Sequence, residues 1–217
     1  MNRILGLMMF FVFMGYSSIA QDNFRQNDFS NFKRPKHNAI KTSPLAMIQG
    51  PIIFTSEYRL SIEKAVGKQL SAQMGLSYLG PSNLLSLDEF ILAETGQHVN
   101  TETNGFRLQA TFKYFLSDEV MDGFYIGPHF SYSYAEFTER SNPQTAIRMH
   151  YRNAVFMGGW QKPFAKFLVI DFFTAIGGRN NLIEAVERTG TLYDNVVDSE
   201  QIRGIKLMLG FNIGVAF

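Results

Sequence analysis

The sequence predicts an all-β protein, a transmembrane antiparallel up-and-down β-barrel of about eight strands. Three observations predict it. Apolar residues alternate with small or polar ones over long segments, the period-two pattern of strands with two unlike faces. Aromatics make up 14% of the chain, with 21 Phe, yet mean hydropathy is only −0.06. The apolar residues are therefore evenly diluted, as in a barrel with one greasy face and one polar face, and unlike a helical membrane protein with long apolar runs. Finally, the chain closes on a long alternating segment that ends in Phe217.

The elements follow in order. Arg3 gives a short basic start, Ile4 to Met14 is almost wholly apolar, and Ser18-Ile19-Ala20 offers small residues at the two positions a signal peptidase reads. Residues 1–20 therefore read as a secretory signal peptide; the apolar run is shorter than the roughly 20 residues of a spanning helix. Residues 21–37 are polar and irregular and read as a periplasmic N-terminal tail, with Lys33-Arg34-Pro35-Lys36 as a solvated basic linker. Residues 38–217 are expected to form the outer-membrane β-barrel.

Parity assigns the faces. At the C-terminus Ile205, Leu207, Leu209, Phe211, Ile213, Val215 and Phe217 form one set, and Lys206, Met208, Gly210, Asn212, Gly214 and Ala216 the other. In a membrane barrel the first set faces lipid and the second the lumen; on that basis Gly210→Ser should be tolerated. The same reading gives strands at about 38–49, 51–62, 68–79, 103–116, 123–138, 147–160, 166–179 and 201–217. Two are irregular. Pro44 lacks a ladder donor and suggests a bulge. In Arg148–Trp160, Arg148 and Arg152 share parity with Phe156 and Trp160, which implies a bulge near Asn153 or a different register.

The connections 63–67, 117–122 and 161–165 are short, whereas 80–102, 139–146 and 180–200 are long and polar. This is the alternation of tight periplasmic turns with long outer loops. Gln49-Gly50-Pro51 is read as an unusually tight outer connection. Binding function is expected in the outer loops Pro81–Thr101 and Asn180–Glu200. The first is oddly apolar, with Leu84, Leu85, Leu87, Phe90, Ile91 and Leu92, and is compatible with a short amphipathic helix over the mouth.

On these residues the chain resembles the small eight-stranded outer-membrane β-barrels of Gram-negative bacteria. Asn38-Ala39-Ile40-Lys41, Phe54-Thr55-Ser56-Glu57-Tyr58-Arg59 and Lys68 to Leu79 are similar to one such family of unknown function. The closing Gly210-Phe211-Asn212-Ile213-Gly214-Val215-Ala216-Phe217 resembles the signal read by the barrel assembly machinery, with Phe211 and Phe217 as its aromatic positions. The resemblance implies the cell outer membrane as location and outer-membrane lipid as a partner. It brings no ligand, reaction or cofactor.

Composition excludes several classes. Net charge is +1, and no basic run points to nucleic acid. With no Cys, thiol chemistry, a disulfide scaffold, thiolate metal sites and a lipoprotein leader are all excluded. There is no His-Glu-x-x-His, P-loop, Gly-x-Gly-x-x-Gly or Gly-x-Ser-x-Gly, so no metal site or enzyme is expected. His129-Phe130-Ser131, with Glu136 and Glu139 nearby, resembles the His-x-Ser of outer-membrane lipid A deacylases. Parity places His129 and Ser131 inside, away from lipid, and Glu136 on the other face.

The inward parity also collects Lys41, Glu57, Arg59, Arg107, Lys113, Asp171 and Lys206. In a barrel this narrow, charges must pair or hydrogen-bond. They read as a plug in which Glu57, one of two inward acids, accepts hydrogen bonds from more than one of Arg59, Arg107 and Lys113. The expected function is a structural or loop-binding outer-membrane barrel with a plugged lumen. A narrow pore for small solutes or ions is the alternative, and a lipid A-modifying hydrolase is last.

Overall fold

The computed structural model describes residues 37–48, 50, 52, 55–82, 101–139, 142–164, 167–188 and 194–217. The alternating segments become β1 (Asn38–Thr42), β2 (Thr55–Ala65), β3 (Leu70–Pro81), β4 (Thr101–Phe115), β5 (Gly123–Glu139), β6 (Asn142–Phe164), β7 (Leu168–Glu187) and β8 (Asn195–Ala216). Each strand pairs antiparallel with the next, and β1 pairs with β8, so one sheet closes into a ring. The expected signal peptide and all of the expected tail but His37 lie outside the described residues, as do Leu84, Leu85, Leu87, Phe90, Ile91 and Leu92.

The closure is staggered. From Lys41 the direct partners run through Ser61, Gly75, Gln109, Ser131, Asn153 and Arg179 to Gly204. Lys41 itself pairs with Gly214, ten residues further along β8. A stagger of ten over eight strands corresponds to a strand tilt of about 40°.

The faces follow parity. Odd residues point inward on β1 to β7 and even residues on β8: Lys41, Glu57, Ser77, Arg107, His129, Asn153, Asp171 and Asn212 are all buried. Leu60, Leu76, Leu108, Phe130, Phe156, Ile176 and Leu207 on the opposite parity are exposed on the outside. The inward face is not wholly polar. Phe115, Tyr125, Phe173, Met157 and Val169 join Val120 and Met121, from the β4–β5 turn, in a packed cluster at the end of the ring where Asn38 and Phe217 lie.

Several expectations are corrected. Of the strand expected at 38–49, only Asn38–Thr42 pairs; Pro44–Ile48 is a short helix, α1. Pro44 opens it, where a missing N–H is harmless, and Leu45-Ala46-Met47 are good helix formers. The passage from β1 to β2 is consequently not a tight turn; of Gln49-Gly50-Pro51, only Gly50 is among the described residues. β2 runs Thr55–Ala65 rather than 51–62, which brings Glu63 inside. The outer strands are longer than expected: Asn180–Glu187 and Asn195–Glu200 are strand, not loop, and β5 and β6 continue to Glu139 and from Asn142.

No bulge lies near Asn153. The β5–β6 and β6–β7 registers run unbroken past it, with a shift only at Thr138/Glu139. Arg148 and Arg152 point outward with Phe156 and Trp160 because β6 is longer than its apolar stripe. The strand keeps its face while the face changes from apolar to polar.

Candidate functional site

The inward charges separate into two groups, each built across strands that are distant in sequence. Nearer Asn38 and Phe217, β1 supplies Lys41, β2 Glu63, β4 Lys113 and β7 Asp171. Lys41 Nζ donates to Asp171 Oδ2 at 2.9 Å and Lys113 Nζ to the same oxygen at 2.8 Å. Both ammoniums also reach Glu63, and Gln161 Oε1 accepts from both, at 2.8 and 2.9 Å. Tyr125 donates to Asp171 Oδ1 at 2.7 Å, and Ser71 donates to Glu63. Two cations therefore face two carboxylates, and the pairing that buried charge demands is complete.

The second group centres on Glu57. Arg59 grips it with two nitrogens, at 2.8 and 2.9 Å, and Arg107 Nη1 donates at 3.1 Å. Ser77 and Gln109 add bonds of 2.6 and 2.7 Å. Of the three cations named for Glu57, Arg59 and Arg107 bond it, while Lys113 serves Glu63 and Asp171. Ring stagger decides this, since Lys113 is six positions along β4 from Arg107. Among the described residues three buried acids face inward, Glu57, Glu63 and Asp171, rather than the expected two. Glu63 shares the parity of Glu57 and Arg59 and lies just beyond the strand end expected at residue 62.

Lys206 is placed differently. It is half-buried on the inward face of β8, within electrostatic reach of Arg107 and Arg179. No described carboxylate pairs with it. Arg179, absent from the sequence-based set, points inward one strand away, opposite Gly204, and its Nε has no partner; the Nε of Arg107 also lacks one. Around Glu57 there are therefore four cations and one acid among the described residues.

A cavity of about 300 Å³ adjoins this group. Glu57, Arg59, Arg107, Lys206 and Gly210 line it from inside, and Leu45 and Ala46 from α1. Leu207 and Leu209, whose side chains point outward on β8, line it as well. The cavity thus reaches both faces of the β8 edge.

His129 and Ser131 sit on the inner wall but are not joined. His129 Nδ1 bonds Thr111 at 2.8 Å, while Ser131 Oγ accepts from Arg107 and Asn153, each at 3.1 Å. Ser131 is thus held as an acceptor, without a base taking its proton. Glu136 is on the outer face, bonded to Arg148 at 2.7 Å. The side chain of Glu139 lies outside the described residues.

Outside the ring, aromatics gather at the two ends of the apolar band. Tyr58, Tyr78, Phe106, Tyr132 and Tyr134 lie at one end, with Tyr58 and Tyr78 stacked at 6.3 Å. Tyr114, Phe124, Trp160, Phe172 and Phe211 lie at the other, where Phe172 and Phe211 are 4.8 Å apart. Between them the outward residues are apolar apart from Thr174, whose hydroxyl returns to the Met208 carbonyl at 3.1 Å. Beyond the Tyr-rich end the outer face carries Glu136, Arg148, Arg152 and Glu184. Phe217, at the chain end, is exposed.

Comparison with family models and with curated proteins finds no match for this chain.

Proposed function

We propose that the chain is an outer-membrane β-barrel whose outer face is solvated by lipid, whose lumen is closed by its own side chains, and whose role is structural or one of binding through its outer connections. The observation that carries this reading is the inversion of the two faces. An apolar band bounded by two aromatic rows covers the outside of a closed sheet, while the inside holds paired charges. So large a continuous apolar surface marks contact with membrane or partner. A closed antiparallel sheet meets the demand that no backbone group be left unpaired in hydrocarbon along its ladders. The aromatic rows correspond to the interfacial girdles of such barrels.

In this reading the turns at residues 66–69 and 116–122 face the periplasm with Asn38 and Phe217. The upper ends of β3 to β8 stand outside the cell, where a ligand would be met. Phe211 on β8 and Phe217 just after it are the residues presented to the barrel assembly machinery. The Lys41–Glu63–Lys113–Asp171 group, backed by the apolar cluster around Phe115 and Tyr125, fills the periplasmic half of the lumen and opposes ion passage.

Trp160, the only tryptophan, tests the reading directly. It faces outward and stacks on Phe172 at 6.3 Å. Protein folded into vesicles containing lipids brominated on their acyl chains should show quenched Trp160 fluorescence, and cell fractionation should recover the chain with the outer membrane. An unquenched Trp160 in a chain recovered as soluble protein would refute membrane insertion.

A further inference from the structure

β1 has 5 residues and β8 has 22, and this mismatch leaves a seam in the ring. Lys41↔Ser61 is the last β1–β2 pair and Thr42↔Ile213 the last β1–β8 pair. Two side chains extend the closure by one step. Thr42 Oγ1 donates to the Arg59 carbonyl at 2.8 Å, and Ser43 Oγ to the Phe211 carbonyl at 3.0 Å. Beyond them β2 and β8 do not pair.

Phe217 exchanges backbone bonds with Asn38, so by strand alternation Leu209, Leu207 and Ile205 also turn their N–H and C=O toward the seam. These residues are 84%, 71% and 74% exposed. Among the described residues α1 stands beside this edge, and Ser43 and Gly50 on either side of it line the same cavity. The cavity lies here, its lining shared by Leu207 and Leu209 and by Lys206, Arg59 and Arg107. These three cations meet the single lining carboxylate of Glu57, and Lys206 is the half-buried one that adjoins Leu207 in sequence.

An unpaired strand edge in hydrocarbon is costly, and so is unpaired buried positive charge. One kind of molecule relieves both: an anion carried on an apolar chain. We infer that the β2–β8 seam is a binding site for a single-chain anionic amphiphile, its headgroup held by Lys206 with Arg59 and Arg107 behind, its acyl chain left outside along Leu207 and Leu209. This deepens the membrane reading and rests on it. Charge complementarity selects the anion, and the exposed Leu207 and Leu209 in the same lining select the chain.

The test uses the full barrel in neutral phosphatidylcholine vesicles, with a fatty acid carrying a nitroxide on its chain, read by electron paramagnetic resonance. The expected result is a saturable, motionally restricted component of about one molecule per barrel. Lys206→Gln should weaken it by about tenfold, the loss of one charge-assisted bond, whereas Lys206→Arg should retain it. Neutral phosphatidylcholine bearing the same label should show no saturable component, and inorganic phosphate at equal concentration should not displace the fatty acid. Equal restriction of the neutral lipid would overturn the role of charge, and displacement by phosphate would overturn the role of the chain. Unchanged binding in a folded Lys206→Gln barrel would remove the site. The two readings fail separately: quenched Trp160 without a saturable anion sinks only this inference, whereas an unquenched Trp160 sinks the membrane reading beneath it.

Discussion

Replacing Asp171 by Ala should destabilise the ring more than any single change on its outer rim. Its Oδ2 takes Lys41 at 2.9 Å and Lys113 at 2.8 Å, and its Oδ1 takes Tyr125 at 2.7 Å. The carboxylate and both lysines are almost completely buried. Without Asp171, two ammoniums share the single carboxylate of Glu63, and the Tyr125 hydroxyl loses its acceptor. Stranding one partner of a buried ion pair costs about 3–5 kcal/mol, and an unmet buried hydroxyl about 1–3 kcal/mol. The two losses overlap, so about 4 kcal/mol is expected. With a urea slope of about 2 kcal/mol/M, the midpoint falls by roughly 2 M. The assay is urea unfolding of the folded barrel in lipid, followed through Trp160. The double variant Asp171→Ala/Lys113→Met provides the decisive arm. It leaves Lys41 and Glu63 matched one to one and should recover roughly half of the loss, since residues in contact are not additive. If Asp171→Ala unfolds at the wild-type midpoint, or the double variant is no better than the single one, charge balance is not what holds this end of the lumen.

Leu108→Arg, in the middle of the apolar band, should cost about 2–4 kcal/mol in lipid, measured by the same titration; an exposed position on a soluble ring would accept the same change almost freely. Gly210→Ser should impair folding, contrary to what parity alone suggests. A side chain at 210 would run into the ring of Phe173, so the yield of folded protein should drop, and Phe173→Ala should restore it. Phe217→Asp should leave folding in vitro nearly unchanged but reduce the amount of heat-modifiable barrel recovered from cell membranes; normal recovery would show that the terminal aromatic is not read during assembly.

Much was legible in the sequence because side-chain direction in a strand is a property of that strand alone. Alternation at Ile205–Phe217 or Phe106–Leu116 names the two faces without any knowledge of neighbours. For that reason the inward parity of Lys41, Glu57, Arg59, Arg107, Lys113, Asp171 and Lys206 could be read directly, and Glu63 was within reach of the same rule. The glycine pairs show the boundary. Gly159 and Gly177 face inward, where a side chain would meet Tyr125 or the backbone at Ala154 and Val155, whereas nothing crowds Gly178. Pattern marks all of them alike, and only the packing around each tells which are needed.

Tertiary structure decided what depends on more than one strand. Which ammonium meets which carboxylate follows from a stagger of ten around the ring, a quantity no single segment carries. Where β2 begins and ends is set by its partners β1 and β3, and the outer extensions of β6, β7 and β8 exist because they pair with one another after their apolar stripe has ended. The seam is the clearest case. A 5-residue β1 beside a 22-residue β8 is unremarkable until the ring closes, when the missing partner leaves an open edge. Period and composition determined the faces of this protein, because they act within one strand; closure determined its pairings and, among the described residues, the seam between β2 and β8, because hydrogen-bond register acts only between strands.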